Sequence, residues 1–186
     1  MKRFVLFLFA LSVLLGSAAP AEAIPPLLRP GTRPMWVSGA FGPAILFESG
    51  GYTQLKLTQT FGYHFKGTAA GPAIAVDLQE SVAHGGIIFE LLPRFVWDIP
   101  IVDGLGLYLS PSAGLGFAHM GSGYSSYSWN GLTFQLAFAA KLILGDRGMV
   151  FFQPFGLDVL AGDTGTAYGW DSTIRWDMLW GGGVTF

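Results

Sequence analysis

Hydrophobic and polar residues alternate along most of this chain with a period of two, and the last segment shows the pattern most clearly. Ile174, Trp176, Met178, Trp180, Gly182, Val184 and Phe186 fall on one side of the period, and Thr173, Arg175, Asp177, Leu179, Gly181, Gly183 and Thr185 on the other. Successive side chains of an extended strand point to opposite faces, so this segment predicts a strand with one aromatic face and one charged or glycine-rich face. The segment Tyr52–Phe65 repeats the pattern, with Leu55, Leu57, Phe61, Tyr63 and Phe65 opposed to Gln54, Lys56, Thr58, Thr60 and His64.

The same ruler, interrupted by turn residues, predicts eight strands: Trp36–Glu48, Tyr52–Phe65, Pro72–Glu80, Ile87–Trp97, Leu105–Phe117, Leu132–Leu144, Val150–Ala161 and Thr173–Phe186. Short connections are expected at 66–71, 98–104 and 145–148 on one side, with loops at 49–51, 81–86, 119–130 and 162–172 on the other. Residues 24–35 carry Pro25, Pro26, Pro30 and Pro34, which cannot sustain a ladder, and read as an extended lead-in. Pro43, Pro93, Pro111 and Pro154 fall inside predicted strands, where a missing amide donor calls for bulges or a weakened seam between strands four and five.

Polarity separates two barrel types that share this period. A soluble barrel packs apolar residues inside, whereas here the charged residues share a face with Gly, Ser and Thr while Phe, Leu and Trp crowd the other. The chain is 51% hydrophobic and 12% charged, and no stretch after the leader supplies 18 consecutive apolar residues. A lipid-embedded chain without such helices satisfies its backbone only as a closed barrel. The expected fold class is therefore all-β, an eight-stranded antiparallel up-and-down transmembrane β-barrel over residues 36–186.

Lys2 and Arg3 precede the apolar run Phe4–Leu15, and Ala21-Glu22-Ala23 offers small residues at both positions of a signal-peptidase site. Residues 1–23 thus read as a cleaved secretory signal. Its removal leaves eight Lys and Arg against eleven Asp and Glu, a balance unlike that of a nucleic-acid binder. With no Cys in the chain, lipidation at a mature amino terminus and a disulfide framework are both ruled out.

On the terminal alternation ending in Phe186, the chain resembles the C-terminal strand of bacterial outer-membrane β-barrels. As an architecture it is similar to the small eight-stranded barrels of the outer membrane protein A and X kind. The resemblance implies outer-membrane localisation with both termini periplasmic, and an assembly signal at Phe186 read by the outer-membrane assembly machinery. Outer-membrane lipid and lipopolysaccharide would be the surrounding partners. It implies no activity and no cofactor.

Inward positions collect Glu48, Lys56, Asp77, Glu90, Arg94, Lys141, Asp158, Arg175 and Asp177, four cations against five acids. Buried unpaired charges are costly, so a network of ion pairs across the lumen is expected, with a charged constriction of a narrow channel as the sharper alternative. Small inward residues at Ser38, Ala40, Gly42, Gly114, Gly116, Ala137, Gly181 and Gly183 leave room for water. Some small outer-membrane barrels modify lipid A with Ser and His, but none of His64, His84 and His119 has a Ser two residues later. Glu80, Ser81 and His84 share one predicted loop and can be drawn as orienter, nucleophile and base, although triad members usually come from separate elements. No metal-ligand spacing is present. Tyr124, Tyr127 and Trp129 lie in a Gly- and Ser-rich loop of the composition that makes adaptable binding surfaces for an extracellular ligand. Trp36, Tyr52, Trp97 and Trp170 are expected in the headgroup belts. These readings predict a non-enzymatic barrel with a largely filled lumen and a structural or surface-interaction role; a narrow diffusion channel is the second reading and a lipid A-modifying enzyme the third.

Overall fold

The computed structural model describes residues 31–47, 53–83, 86–102, 106–122, 128–145, 147–163 and 170–186. It forms eight strands: β1 Met35–Leu46, β2 Thr53–His64, β3 Gly71–Ala83, β4 Gly86–Val102, β5 Leu107–Ser122, β6 Ser128–Leu144, β7 Gly148–Asp163 and β8 Trp170–Thr185. Each strand pairs antiparallel with its sequence neighbour, and β1 pairs with β8 to close the barrel. Closure leaves no edge, and the ladder satisfies the strand backbones without water. Met35 and Phe186 complete the closing seam by exchanging backbone hydrogen bonds of 3.1 and 2.9 Å.

The predicted polarity holds around the ring. Phe61, Ile74, Leu78, Phe95, Leu115, Phe117, Phe134 and Trp180 are exposed on the outer wall, while Lys56, Asp77, Glu90, Asp158, Arg175 and Asp177 are buried inside. An apolar exterior around a charged interior is the arrangement that hydrocarbon surroundings favour. Outward rings also pack on one another, as in the stacked pair Phe152 and Trp180 with centroids 5.6 Å apart.

Several predicted boundaries are corrected. β3 runs on to Ala83 and β4 starts at Gly86, so the expected loop 81–86 is mostly strand. β4 extends to Val102 through the expected turn 98–104, β5 reaches Ser122, β6 starts at Ser128, β7 ends at Asp163 and β8 starts at Trp170. In most cases pairing continues through Gly, Ser, Asn and Asp residues, which a hydrophobicity ruler reads as loop but whose backbones bond as well as any other, whereas β4 continues past Asp98 through the apolar Ile99–Val102. At the opposite end the turns are short. Gly67 and Gly71 have φ of 70° and 89° and Gly145 has 62°, a conformation that glycine adopts without steric cost.

The prolines divide into two kinds. The β7–β8 register shifts between Gln153 and Gly156, so Pro154 sits in a bulge that bends the strand. The bulge also changes parity: Phe151 and Gln153 face the lumen before it, and Gly156 and Asp158 after it. In the β4–β5 pair the register runs to Leu91↔Phe117, resumes at Arg94↔Gly114, and breaks again between Val96↔Ser112 and Ile99↔Leu109 without changing offset. Pro93 lies in the first gap and Pro111 opposite the second, so two missing donors fall in one seam.

Candidate functional site

The interior is layered, with two apolar clusters flanking the charges. Near the chain termini, Trp36, Ala73, Ala75, Val96, Tyr108, Ile143 and Met149 pack together; near the loops, Ile88, Ala118, Trp129 and Leu160 do so. Two expectations for tryptophan are thereby corrected. Trp36 and Trp129 point inward, 5% and 7% exposed, rather than into a headgroup belt or a binding loop. Each lies over a glycine of the adjacent strand, Trp36 over Gly62 and Trp129 over Gly162, where any Cβ would collide with the indole. Their parity with Ser38 and Gln135 already placed them on the polar face, but aromatic character masked that signal. Trp97 is 52% exposed, as expected.

Between the clusters, eight of the nine residues expected to line the lumen are described, and all eight face inward. Glu48, Tyr52, His84, Tyr124, Tyr127 and the Trp170 side chain lie outside what the structure describes. Arg175 of β8 is the hub. Its Nε and one terminal nitrogen donate to Asp158 Oδ2 at 2.8 and 2.5 Å, that same nitrogen reaches Glu90 Oε1 at 2.5 Å, and the other donates to Ser81 Oγ at 3.0 Å. Glu90 belongs to β4, four strands from β8 in either direction, so this contact crosses the barrel. Lys56 of β2 donates to Asp158 at 2.7 Å and to Asp177 at 2.5 Å, and Gln135 and Gln153 donate to the remaining oxygens of those two acids. Thr133 Oγ1 donates to Glu90 at 3.1 Å. Strand tilt brings residues distant around the ring to the same height, and a narrow barrel then lets their side chains meet.

Arg94 pairs separately with Asp77 at 2.9 Å and donates to Ser112 Oγ at 3.3 Å. A third group lies nearer the termini and was not anticipated as a group. Asp98 accepts from Lys141 Nζ, from Ser110 Oγ and from His64 Nε2, the last at 2.5 Å. Lys141 Nζ also stands 5.2 Å from the Trp36 ring centroid and 5.5 Å from that of Tyr108, within cation–π range. Asp98 falls in the stretch 98–104 that the hydrophobic pattern predicts as a turn. Continuing the period from Glu90 and Arg94 would have put it in the lumen.

A cavity of about 40 Å3 separates the second and third groups, lined by residues that include Arg94, Asp98, Ser110, Lys141 and Gln153. A space of this size, with several polar groups on its wall, has room for a water molecule. The drawn constellation of Glu80, Ser81 and His84 does not survive. Glu80 and Ser81 are consecutive in β3 and face opposite sides, and Ser81, fully buried, is engaged by Arg175. His119 lies on the outer face of β5 rather than at the start of a loop, with Nδ1 2.8 Å from Asn130 Oδ1. Among the described residues no group of three His, Cys, Asp or Glu side chains is arranged to hold a metal ion.

Comparisons with solved structures agree with the architecture. The chain is similar to Neisserial surface protein A, with a TM-score of 0.64 and 11% identity over 82% of this chain and 97% of that one. It is also similar to the N-terminal β-barrel domain of Pseudomonas aeruginosa OprF, with a TM-score of 0.52 and 19% identity over 83% and 98% of the two chains. At these identities the likeness establishes the fold alone: a closed, eight-stranded antiparallel barrel. No protein-family model matches the sequence, and a search of curated proteins returns no match.

Proposed function

We propose that this chain is a non-enzymatic integral protein of the bacterial outer membrane, with both termini periplasmic, whose role is structural or surface-interacting rather than transport. The observation that carries this reading is the Arg175 hub, which ties β8 to β3, β4 and β7 through the middle of the lumen. Moving an ion past it would mean breaking buried pairs, each of which costs about 3–5 kcal/mol to disrupt. The apolar wall supports residence in lipid, with lipopolysaccharide as the outer-leaflet neighbour. Phe186, closing the seam against Met35, fits the role of a signal for the assembly machinery. Surface recognition falls to the loops after β5 and β7, with Tyr124 and Tyr127 as contacts for an extracellular ligand; Trp129, being internal, is withdrawn from that set.

Planar-bilayer recording on the purified, folded protein tests the reading. The expected trace is silent; steady, reproducible unitary steps would overturn the filled-lumen assignment. A narrow diffusion channel is the second reading, favoured by the cavity beside Arg94 and Lys141, which would form part of its path. A lipid A-modifying activity has lost its drawn residues, and mass analysis of lipid A from cells with and without the protein, expected to be identical, tests it.

A further inference from the structure

Residues 31–34 do not hang below the barrel. They cross its mouth at the end that carries the termini. Gly31 is buried, its amide donates to the Tyr108 hydroxyl at 3.0 Å, and its carbonyl accepts from the Ala69 amide at 3.1 Å. Tyr108 belongs to β5, four strands from β1 in either direction, so the segment that enters β1 is tied to the far wall. A Cβ on Gly31 would collide with that of Ala69, so only glycine fits this crossing.

The strap is fastened at Pro34. Its carbonyl accepts from the His64 backbone amide at 2.8 Å and lies 3.1 Å from His64 Nδ1, while the other ring nitrogen meets Asp98 Oδ2 at 2.5 Å. A carbonyl oxygen only accepts, and a carboxylate that already receives Lys141 and Ser110 does likewise. Two acceptors on the two ring nitrogens require two N–H groups. Neutral imidazole has one.

We infer that His64 is held as an imidazolium and is the clasp of a strap, residues 31–34, that closes this mouth of the barrel. The groups that bear on it are Asp98 and, across the cavity, Arg94 from β4; Tyr108 from β5; and Lys141 from β6. The β1 residues packed there, Trp36 and Ser38, carry no charge. When the proton leaves, the charge-assisted bond to Asp98 keeps the remaining N–H on Nε2. Nδ1 then presents a lone pair to the Pro34 carbonyl, and the strap loosens.

The test uses the protein folded in nanodiscs. With His84→Gln and His119→Gln, ring nitrogen NMR reads His64 alone. With Thr32→Cys in a chain that has no cysteine, a nitroxide reads the strap. The expected result, as the pH is raised from about 5 to 9, is both nitrogens protonated with an immobile label, with any loss of the Nδ1 proton coinciding with the step in which the label becomes mobile. Protection of the Ala69 amide, corrected for intrinsic exchange, should fall about tenfold in that step, the scale of one lost hydrogen bond. His64→Gln should leave the label mobile throughout. A neutral His64 beside an immobile label overturns the inference. If the imidazolium persists over the whole range, the Gln variant decides: a mobile label supports the clasp, and an immobile label overturns it.

Discussion

Replacing Arg175 with Ala should be the most damaging single change in the lumen, and the contacts allow its size to be worked out. Arg175 serves two acids. After its removal Asp158 keeps Lys56 at 2.7 Å and Gln135 at 2.7 Å, but Glu90 keeps only the Thr133 hydroxyl at 3.1 Å. One carboxylate, 3% exposed, is left without a counter-charge, and an orphaned buried charge costs about 3–5 kcal/mol. Arg94→Ala orphans a carboxylate in the same way, since its ion-pair partner Asp77, 1% exposed, keeps only a 3.2 Å bond from Gln79. Its cost should fall toward the lower end of the same range of about 3–5 kcal/mol, because Arg94 serves one acid rather than two and its side chain is 15% exposed. Adding Glu90→Gln to Arg175→Ala removes the orphaned charge and should recover about 2 kcal/mol or more. Reversible urea unfolding in lipid vesicles, followed by tryptophan fluorescence, measures all three variants against the parent at matched m values. An Arg175→Ala loss below about 1 kcal/mol, or a double mutant no better than the single, would falsify the hub as a neutralising network.

The closed ladder predicts that unboiled protein migrates differently from boiled protein on a detergent gel; identical migration counts against closure. Deleting Phe186 removes both backbone bonds to Met35 and should lower the amount of folded barrel recovered from membranes, and unchanged recovery would leave that residue without an assembly role. Amide exchange should be faster at Leu92–Phe95 and Leu109–Ala113, around the two gaps in the β4–β5 seam, than at Leu55–Gly62; equal protection would make Pro93 and Pro111 curvature devices only. Gly116→Ala should block folding outright, because the added Cβ meets the Leu91 carbonyl and the Leu92 backbone at 2.8 Å, and a folded variant of normal stability would show that the seam yields.

Alternation alone determined a great deal about this protein. Strand number, the sense of each face and the inward set Lys56, Asp77, Glu90, Arg94, Lys141, Asp158, Arg175 and Asp177 follow from a period of two, because a pleated strand has only two sides and lipid rejects charge on one of them. The same rule would have delivered Asp98, Trp36 and Trp129 had it been carried past the apparent turns and trusted over aromatic character. What parity cannot reach is what side chains meet. Nothing local in β8 says that Arg175 finds Glu90 on the opposite wall, since that meeting depends on closure, tilt and the register of every intervening pair. The Pro154 bulge is a second case: Gln153 and Asp158 have opposite parity in sequence, and only the inserted residue turns both to the lumen. The strap is a third. Gly31 and Pro34 read as lead-in because their partners, Tyr108, Ala69 and His64, lie 30 or more positions away. Facing is a local property of a strand and is written in short stretches of sequence; partnership across a lumen is a property of the closed ring, and only the tertiary structure decides it.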